Sequence, residues 1–202
     1  RKSALRFVLF HLISSFLFLV AAIVLVAYLP WPGQPSFSVA AISELLSRHT
    51  LPLVWQRALF GAFAVSFLIR IPLFPFHHWF VEAIAASRFE RTAIVAVVFV
   101  KLGLYGMLRF VALLLPAAAY EFFPLLALLG LFTMVYGALL AIAQTHLKRI
   151  VAYLGVSQLG LMTLGCSALT VEGVSGAMFQ MVCQGIAIAC TLFLIDHLET
   201  QN

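Results

Sequence analysis

Residues 92–108 read TAIVAVVFVKLGLYGML, an apolar run broken by one charge, Lys101. Along a helix rising roughly 1.5 Å per residue, Lys101 lies ~14 Å into the run, near the middle of a ~30 Å hydrocarbon layer. An ammonium at that depth costs about 2.5–3.5 kcal/mol or more unless it faces protein, water or a counter-charge. A lysine can snorkel to the interface, but the nearer end of this run is too far for an easy reach. The run therefore reads as a membrane span, and Lys101 as a candidate for proton or ion passage.

The rest of the chain agrees with that reading. Its 202 residues are 64% hydrophobic and only 9% charged, with a mean hydropathy of +1.11. A soluble domain carries about 25% charged residues. The expected fold class is all-α, a polytopic bundle of transmembrane helices. Apolar runs over 7–29, 53–74, 92–115, 122–143, 150–169 and 174–195 are each long enough to cross. The first run is too long for a cleavable signal and lacks a small-residue cleavage site. A chain opening on Arg1 rather than Met suggests a fragment, a processed product or a chain missing its first residues.

Basic residues sort the loops. Arg1, Lys2, Arg6, Arg88, Arg91, Lys148 and Arg149 collect on one side, while Arg48, Arg57, Glu121 and Glu172 fall on the other. The positive-inside rule then places the N-terminus and the 75–91 and 144–149 loops in the cytoplasm or matrix. The net charge of +5 follows from this topology and implies no nucleic acid. Within the Trp31–Pro52 loop, Val39 to Arg48 is expected to form a short helix at the surface.

The second run ends in IRIPLFPFHHWF, residues 69–80. Pro72 and Pro75 each remove a backbone donor and disfavour helix in the residue before them. Two readings fit. One is a discontinuous helix whose freed carbonyls meet protein or water around a site. The other is a helix that simply ends at the interface, with Trp79 and the histidines at headgroup level.

Taken in order, several stretches carry a resemblance. They are Arg70-Ile-Pro-Leu-Phe-Pro-Phe-His77-His-Trp79; Lys101-Leu-Gly-Leu-Tyr-Gly-Met-Leu-Arg109; Tyr136-Gly-Ala with Gln144-Thr-His-Leu-Lys148; and Gly176-Ala-Met-Phe-Gln-Met-Val-Cys-Gln-Gly185. Together they resemble the antiporter-like, proton-pumping subunits of respiratory complex I, nearest to the chain 4 branch, called chain M in bacteria. The resemblance implies a fold of about fourteen spans built on two inverted repeats, each with a broken helix. This chain resembles its central part. Residues 1–115 correspond to the latter part of the first repeat and 116–202 to the first part of the second.

Carried over by position, Lys101 matches the central lysine of the family's proton relay. Arg70 stands where the family has the broken-helix lysine, and His77 matches the histidine of the Pro-x-His-x-Trp motif. Lys148 is kept, although His146 replaces the aspartate two residues before it. Gln158 and Gln184 stand where the family has membrane-embedded histidines. After Trp79 the family's Asp-Ala-His-x-x-Ala-Pro has become Glu82-Ala-Ile-Ala-Ala-Ser-Arg88.

These departures thin a relay chemically. Lysine and histidine can gain and lose protons at accessible cost, whereas arginine stays protonated and glutamine only holds water. The resemblance thus implies a membrane-arm subunit of an H+-translocating NADH:ubiquinone reductase, moving protons through a buried lysine–water relay. In it Lys101 titrates, Arg70 is a fixed charge, and Gln158 and Gln184 scaffold water. Two alternatives stay open: a non-pumping structural subunit of the same complex, and a subunit of a multi-subunit cation/proton antiporter. NADH, flavin, iron–sulfur clusters and quinone are expected in other subunits, with no cofactor or metal bound by this chain. Expected partners are the other membrane-arm subunits, lipids, and a separate chain as one source of the missing spans. The motif losses suggest the mitochondrial inner membrane, with a bacterial inner membrane equally compatible.

Other classes fit poorly. No Gly-rich phosphate loop or Cys/His metal cluster is present, and Cys166, Cys183 and Cys190 lie in apolar runs. Haem needs facing histidines near mid-membrane. His11 has no obvious partner, and adjacent His77 and His78 are expected to point apart on a helix.

Overall fold

A computed structural model describes residues 2–86 and 98–201. All regular structure among these residues is helical. In chain order the elements are α1 (Lys2–Tyr28), α2 (Val39–Arg48), α3 (Leu53–Arg70), α4 (His78–Ala86), α5 (Val100–Gly106), α6 (Pro116–Ile142), α7 (Leu147–Ser167) and α8 (Val171–Gln201). A π-helical stretch, Met107–Ala112, continues α5. Helices α1, α3, α6, α7 and α8 are long and apolar enough to cross a membrane. The sixth expected span, 92–115, begins outside the described residues, as do Arg88 and Arg91; its later part is α5 and the π stretch.

Each boundary has a local cause. Pro116 starts α6 at a first-turn position where a missing N–H costs nothing, so this span begins ahead of the expected residue 122. Pro72 stops α3 at Arg70 rather than Phe74, since it can neither donate nor let Ile71 continue the helix comfortably. The surface helix α2 occupies the expected residues; Ile42 is buried and Arg48 pairs with Glu44 one turn earlier, at 2.7 Å. Trp31 ties the preceding loop back to α1 by donating from Nε1 to the Val26 carbonyl at 2.8 Å.

Without a hydrophobic drive between helices in lipid, close packing decides the bundle. A Cβ added at Gly160 would stand 2.5 Å from both the Gly130 carbonyl oxygen and the Met134 nitrogen, so α6 and α7 meet backbone to backbone there. At Gly106, a Cβ would stand 2.3 Å from the Phe67 ring, which fixes the π stretch and α5 against α3. Ser157 on α7 donates to the Met134 carbonyl of α6 at 2.8 Å, satisfying a polar group inside that contact.

Ion pairs mark two rims. Arg6 of α1 pairs with Glu82 of α4, and Lys148 of α7 with Glu199 of α8. At the opposite end Arg57 of α3 pairs with Glu121 of α6 at 2.9 Å. The first rim holds the basic loops, which agrees with the sidedness read from charge.

Candidate functional site

The site is built around the break between α3 and α4. Residues 71–77 leave the helix, and several of the backbone groups this frees are met by protein. Trp79, 1% exposed, donates from its indole nitrogen to the Ile69 carbonyl at 3.0 Å. The Phe74 N–H reaches across to Thr133 Oγ1 on α6 at 3.2 Å, while that hydroxyl donates to the Leu129 carbonyl at 2.7 Å. Phe76 N–H closes a tight turn onto the Leu73 carbonyl at 2.6 Å. With Ile71, Leu73, His77 and Trp79 all buried, this is an interrupted span enclosed in protein, not a helix ending at the headgroups.

Arg70 stands at the last residue of α3, half-buried. Its Nε donates to Ser14 Oγ at 2.7 Å and its terminal nitrogen to Ser15 Oγ at 2.8 Å. Ser14 and Ser66 are fully buried and exchange bonds: each hydroxyl donates to the other's carbonyl, at 2.9 and 2.8 Å. Among the described residues no carboxylate lies within ion-pair distance of Arg70, and the guanidinium bonds to the Ser14 and Ser15 hydroxyls. The sequence signal was present in the small hydroxyl residues Ser14, Ser15 and Ser66 within apolar runs, a usual mark of helix contacts in membranes.

His77 is completely buried, and neither ring nitrogen has a hydrogen-bond partner among the described residues. Aromatic rings enclose it: Phe74 stacks at 6.1 Å, and Tyr136 meets it edge-on at 5.3 Å. Tyr153 lies at 6.3 Å, tilted. The expectation that His77 and His78 point apart is overturned, because their ring centroids are 4.3 Å apart. His77 precedes α4 rather than lying in it; its carbonyl accepts the N–H groups of Phe80 and Val81 at 3.1 and 3.3 Å. Helical divergence therefore does not apply to the pair. The His11 ring lies edge-on to Trp79, with centroids 4.7 Å apart.

Lys101 is half-buried near the start of α5. Two residues on, a Cβ at Gly103 would lie 2.8 Å from the Ile71 side chain and 3.1 Å from Arg70 Cβ. The helix that carries Lys101 is thus pressed against the break at Arg70 and Ile71. On the far side of α7, Gln184 is 2% exposed and donates from Nε2 to the Gly155 carbonyl at 3.1 Å, while its Oε1 is buried without a partner. Gln158, half-buried on α7, makes no hydrogen bond among the described residues.

Lys148 belongs elsewhere. It sits at the basic rim, bonded to Glu199 and 3.9 Å from Asp196. A cleft of about 600 Å³ opens there, lined in part by Ala85, Thr145, His146, Arg149 and Glu199. Arg70 and His77 therefore share the break, Lys101 rides on the helix packed against it, and Gln158 and Gln184 lie on α7 and α8. Among the described residues no group of three or more His, Cys, Asp or Glu side chains is placed to hold a metal.

The profile of a family described as NADH:quinone oxidoreductase/Mrp antiporter, TM, matches residues 1–201. The chain is 37% identical over 195 residues to an NAD(P)H-quinone oxidoreductase chain 4 of Picosynechococcus, covering 96% of this chain and 34% of that one. To NADH-quinone oxidoreductase subunit M of Rickettsia bellii it is 35% identical over 193 residues, covering 96% and 37%. It superposes on a chain of respiratory complex I from Thermus thermophilus with a TM-score of 0.83 and 28% identity, covering 98% of this chain and 41% of that one. The chain thus spans little more than a third of the relatives it matches.

Proposed function

The chain belongs to the transmembrane family shared by NADH:quinone oxidoreductases and Mrp antiporters, and we propose that it forms a proton-conducting part of the membrane arm of a complex I-type oxidoreductase. Its likeness to chain 4 and subunit M supports the oxidoreductase branch over a cation/proton antiporter. The observation that carries conduction is the fully buried His77 imidazole. Neither of its nitrogens has a partner among the described residues, and it sits at a helix break against which the Lys101 helix is packed. An imidazole held for packing alone is a costly choice, since an unsatisfied buried polar group costs about 1–3 kcal/mol. A group that passes protons needs those nitrogens open to water or to a proton.

In this reading Lys101 takes up and releases a proton. Arg70 stays charged and biases it without handing a proton on. Gln158 and Gln184 hold water; the open Oε1 of Gln184 is suited to accept from it. Electron transfer and its cofactors belong to other subunits, and spans supplied from beyond these residues complete the two inverted repeats, divided near Pro116. The relatives compared come from bacteria, which favours a bacterial inner membrane over the mitochondrial one.

Lys101→Ala in the intact assembly tests this, with NADH oxidation and proton uptake followed in sealed vesicles. A lower ratio of protons moved to NADH oxidised, or the joint collapse of both with assembly intact, supports the relay. Unchanged rate and stoichiometry would make the chain a scaffold.

A further inference from the structure

His78 lies beside His77 but in a different environment. His77 is fully buried, whereas His78 is exposed, and their rings are 4.3 Å apart. His78 is the first residue of α4, and Glu82 lies one turn further along the same face. Glu82 holds Arg6 of α1 at the basic rim, in a pair whose side chains are 36% and 58% exposed. One helical turn, ~5.4 Å along the axis, therefore separates His78 from this partly exposed ion pair. On its other side His78 touches an imidazole sealed by Phe74, Tyr136 and Tyr153.

We infer that His78 is the entry group of this site, taking protons from the basic rim and delivering them to buried His77. The inference rests on the proton-conducting reading above and adds to it the direction and place of entry. A proton binds a ring nitrogen of His78 and leaves it for one nitrogen of His77, directly or through one water. It then departs from the other nitrogen of His77 towards the break. In direct transfer only N–H bonds form and break; with a water between, one O–H bond of that water forms as another breaks, and no electrons move. Histidine suits both positions because either ring nitrogen can carry a proton and pass it on. Among the described residues, Tyr136 from α6 and Tyr153 from α7 face His77, while Glu82 on α4, paired with Arg6 of α1, lies one turn along from His78.

The step explains the unusual local geometry. Were His77 inside α4, successive side chains would diverge by about 100° and the rings would separate. Holding His77 just ahead of the helix brings an exposed and a buried imidazole into contact across the protein boundary.

The test uses His78→Ala and His78→Gln in the intact complex, with proton uptake in sealed vesicles measured per assembled complex during NADH oxidation. Uptake is expected to fall about a hundredfold, the lower end of what losing a proton-transfer group costs. Free imidazole added to the medium is expected to restore a substantial part of it in His78→Ala, where the space is vacant. Unchanged uptake in both variants overturns the proposal, and so does a loss that imidazole leaves untouched, because that loss is structural. Lys101→Ala run alongside separates the two claims. If it lowers uptake while the His78 variants do not, only the entry step fails. If it has no effect while His78→Ala shows a loss rescued by imidazole, the entry step stands and the lysine relay fails.

Discussion

The indole nitrogen of Trp79 donates to the carbonyl oxygen of Ile69 at 3.0 Å, joining the two halves of a broken span. That carbonyl would ordinarily be met by the N–H of residue 73 in a continuous helix. Because α3 stops at Arg70, the tryptophan replaces a helical bond with a side-chain bond. Trp79→Phe keeps an aromatic ring but deletes the N–H donor along with the five-membered half of the indole. It is expected to destabilise the assembled protein by about 1–3 kcal/mol, the cost of leaving a buried acceptor unmet. Thermal inactivation of the purified complex reads this directly; a variant as stable as the parent would show that water can take the place of the indole.

Ser14 makes the corresponding prediction for Arg70. Its hydroxyl accepts from Arg70 Nε at 2.7 Å and donates to the Ser66 carbonyl at 2.9 Å. Ser14→Ala leaves a guanidinium N–H facing apolar helices and is expected to cost roughly 1.5–3 kcal/mol, as for hydrogen bonds to charged groups. Ser15→Ala removes a bond at an exposed position and should cost less. The order of denaturation temperatures of the two variants checks the assignment, which fails if Ser15→Ala is the more damaging.

The glycine contacts predict a contrast between two identical changes. Gly160→Ala puts a methyl 2.5 Å from backbone atoms of α6, which can move only with the helix. Gly106→Ala meets the ring of Phe67, a side chain that can be trimmed. Each is expected to destabilise by about 1–3 kcal/mol through overpacking. Phe67→Leu should recover much of the loss from Gly106→Ala, whereas Gly160→Ala has no such single-residue remedy. A double-mutant cycle at Gly106 and Phe67, read by thermal unfolding in detergent, should therefore show strong coupling. Additive effects would disprove the contact.

Long apolar runs made most of this architecture legible, since a helix in lipid must satisfy its own backbone and cannot be much shorter than the membrane. The α2 segment was legible for a different reason, its polar and apolar residues alternating at helical spacing beside a Pro/Gly-rich stretch. The break at Pro72 and Pro75 was legible as a break, but its enclosure was not. That depends on Thr133 and Trp79 reaching freed backbone groups, and Thr133 is 59 residues away from Phe74. The serines around Arg70 escaped for the same reason, being 55 and 56 residues distant. His77 and His78 were misread because a helical rule was applied to a residue that precedes its helix. Motif position drew attention to Lys148, yet only the fold shows it among the carboxylates of α8.

Lys148 supplies the last prediction. Asp196 and Glu199 lie one turn apart on α8, and Lys148 sits between them with 18% of its side chain exposed, against 33% and 54% for the two carboxylates. Its nearest role is to neutralise two like charges near the end of a long helix. Ion pairs that reach the surface contribute about 0–1 kcal/mol and are screened by salt. Lys148→Gln should therefore leave overall stability almost unchanged. Lys148→Glu places three carboxylates together and should loosen the last turns of α8. Amide hydrogen exchange over residues 192–201 is expected to rise in Lys148→Glu at low salt and to return towards the parent at high salt. Proton uptake in Lys148→Gln discriminates this structural role from participation in the relay. If uptake is retained, the lysine acts at the rim as a counter-charge. If uptake is lost while exchange is unaltered, protons pass through Lys148 and the route extends to the cleft beside it.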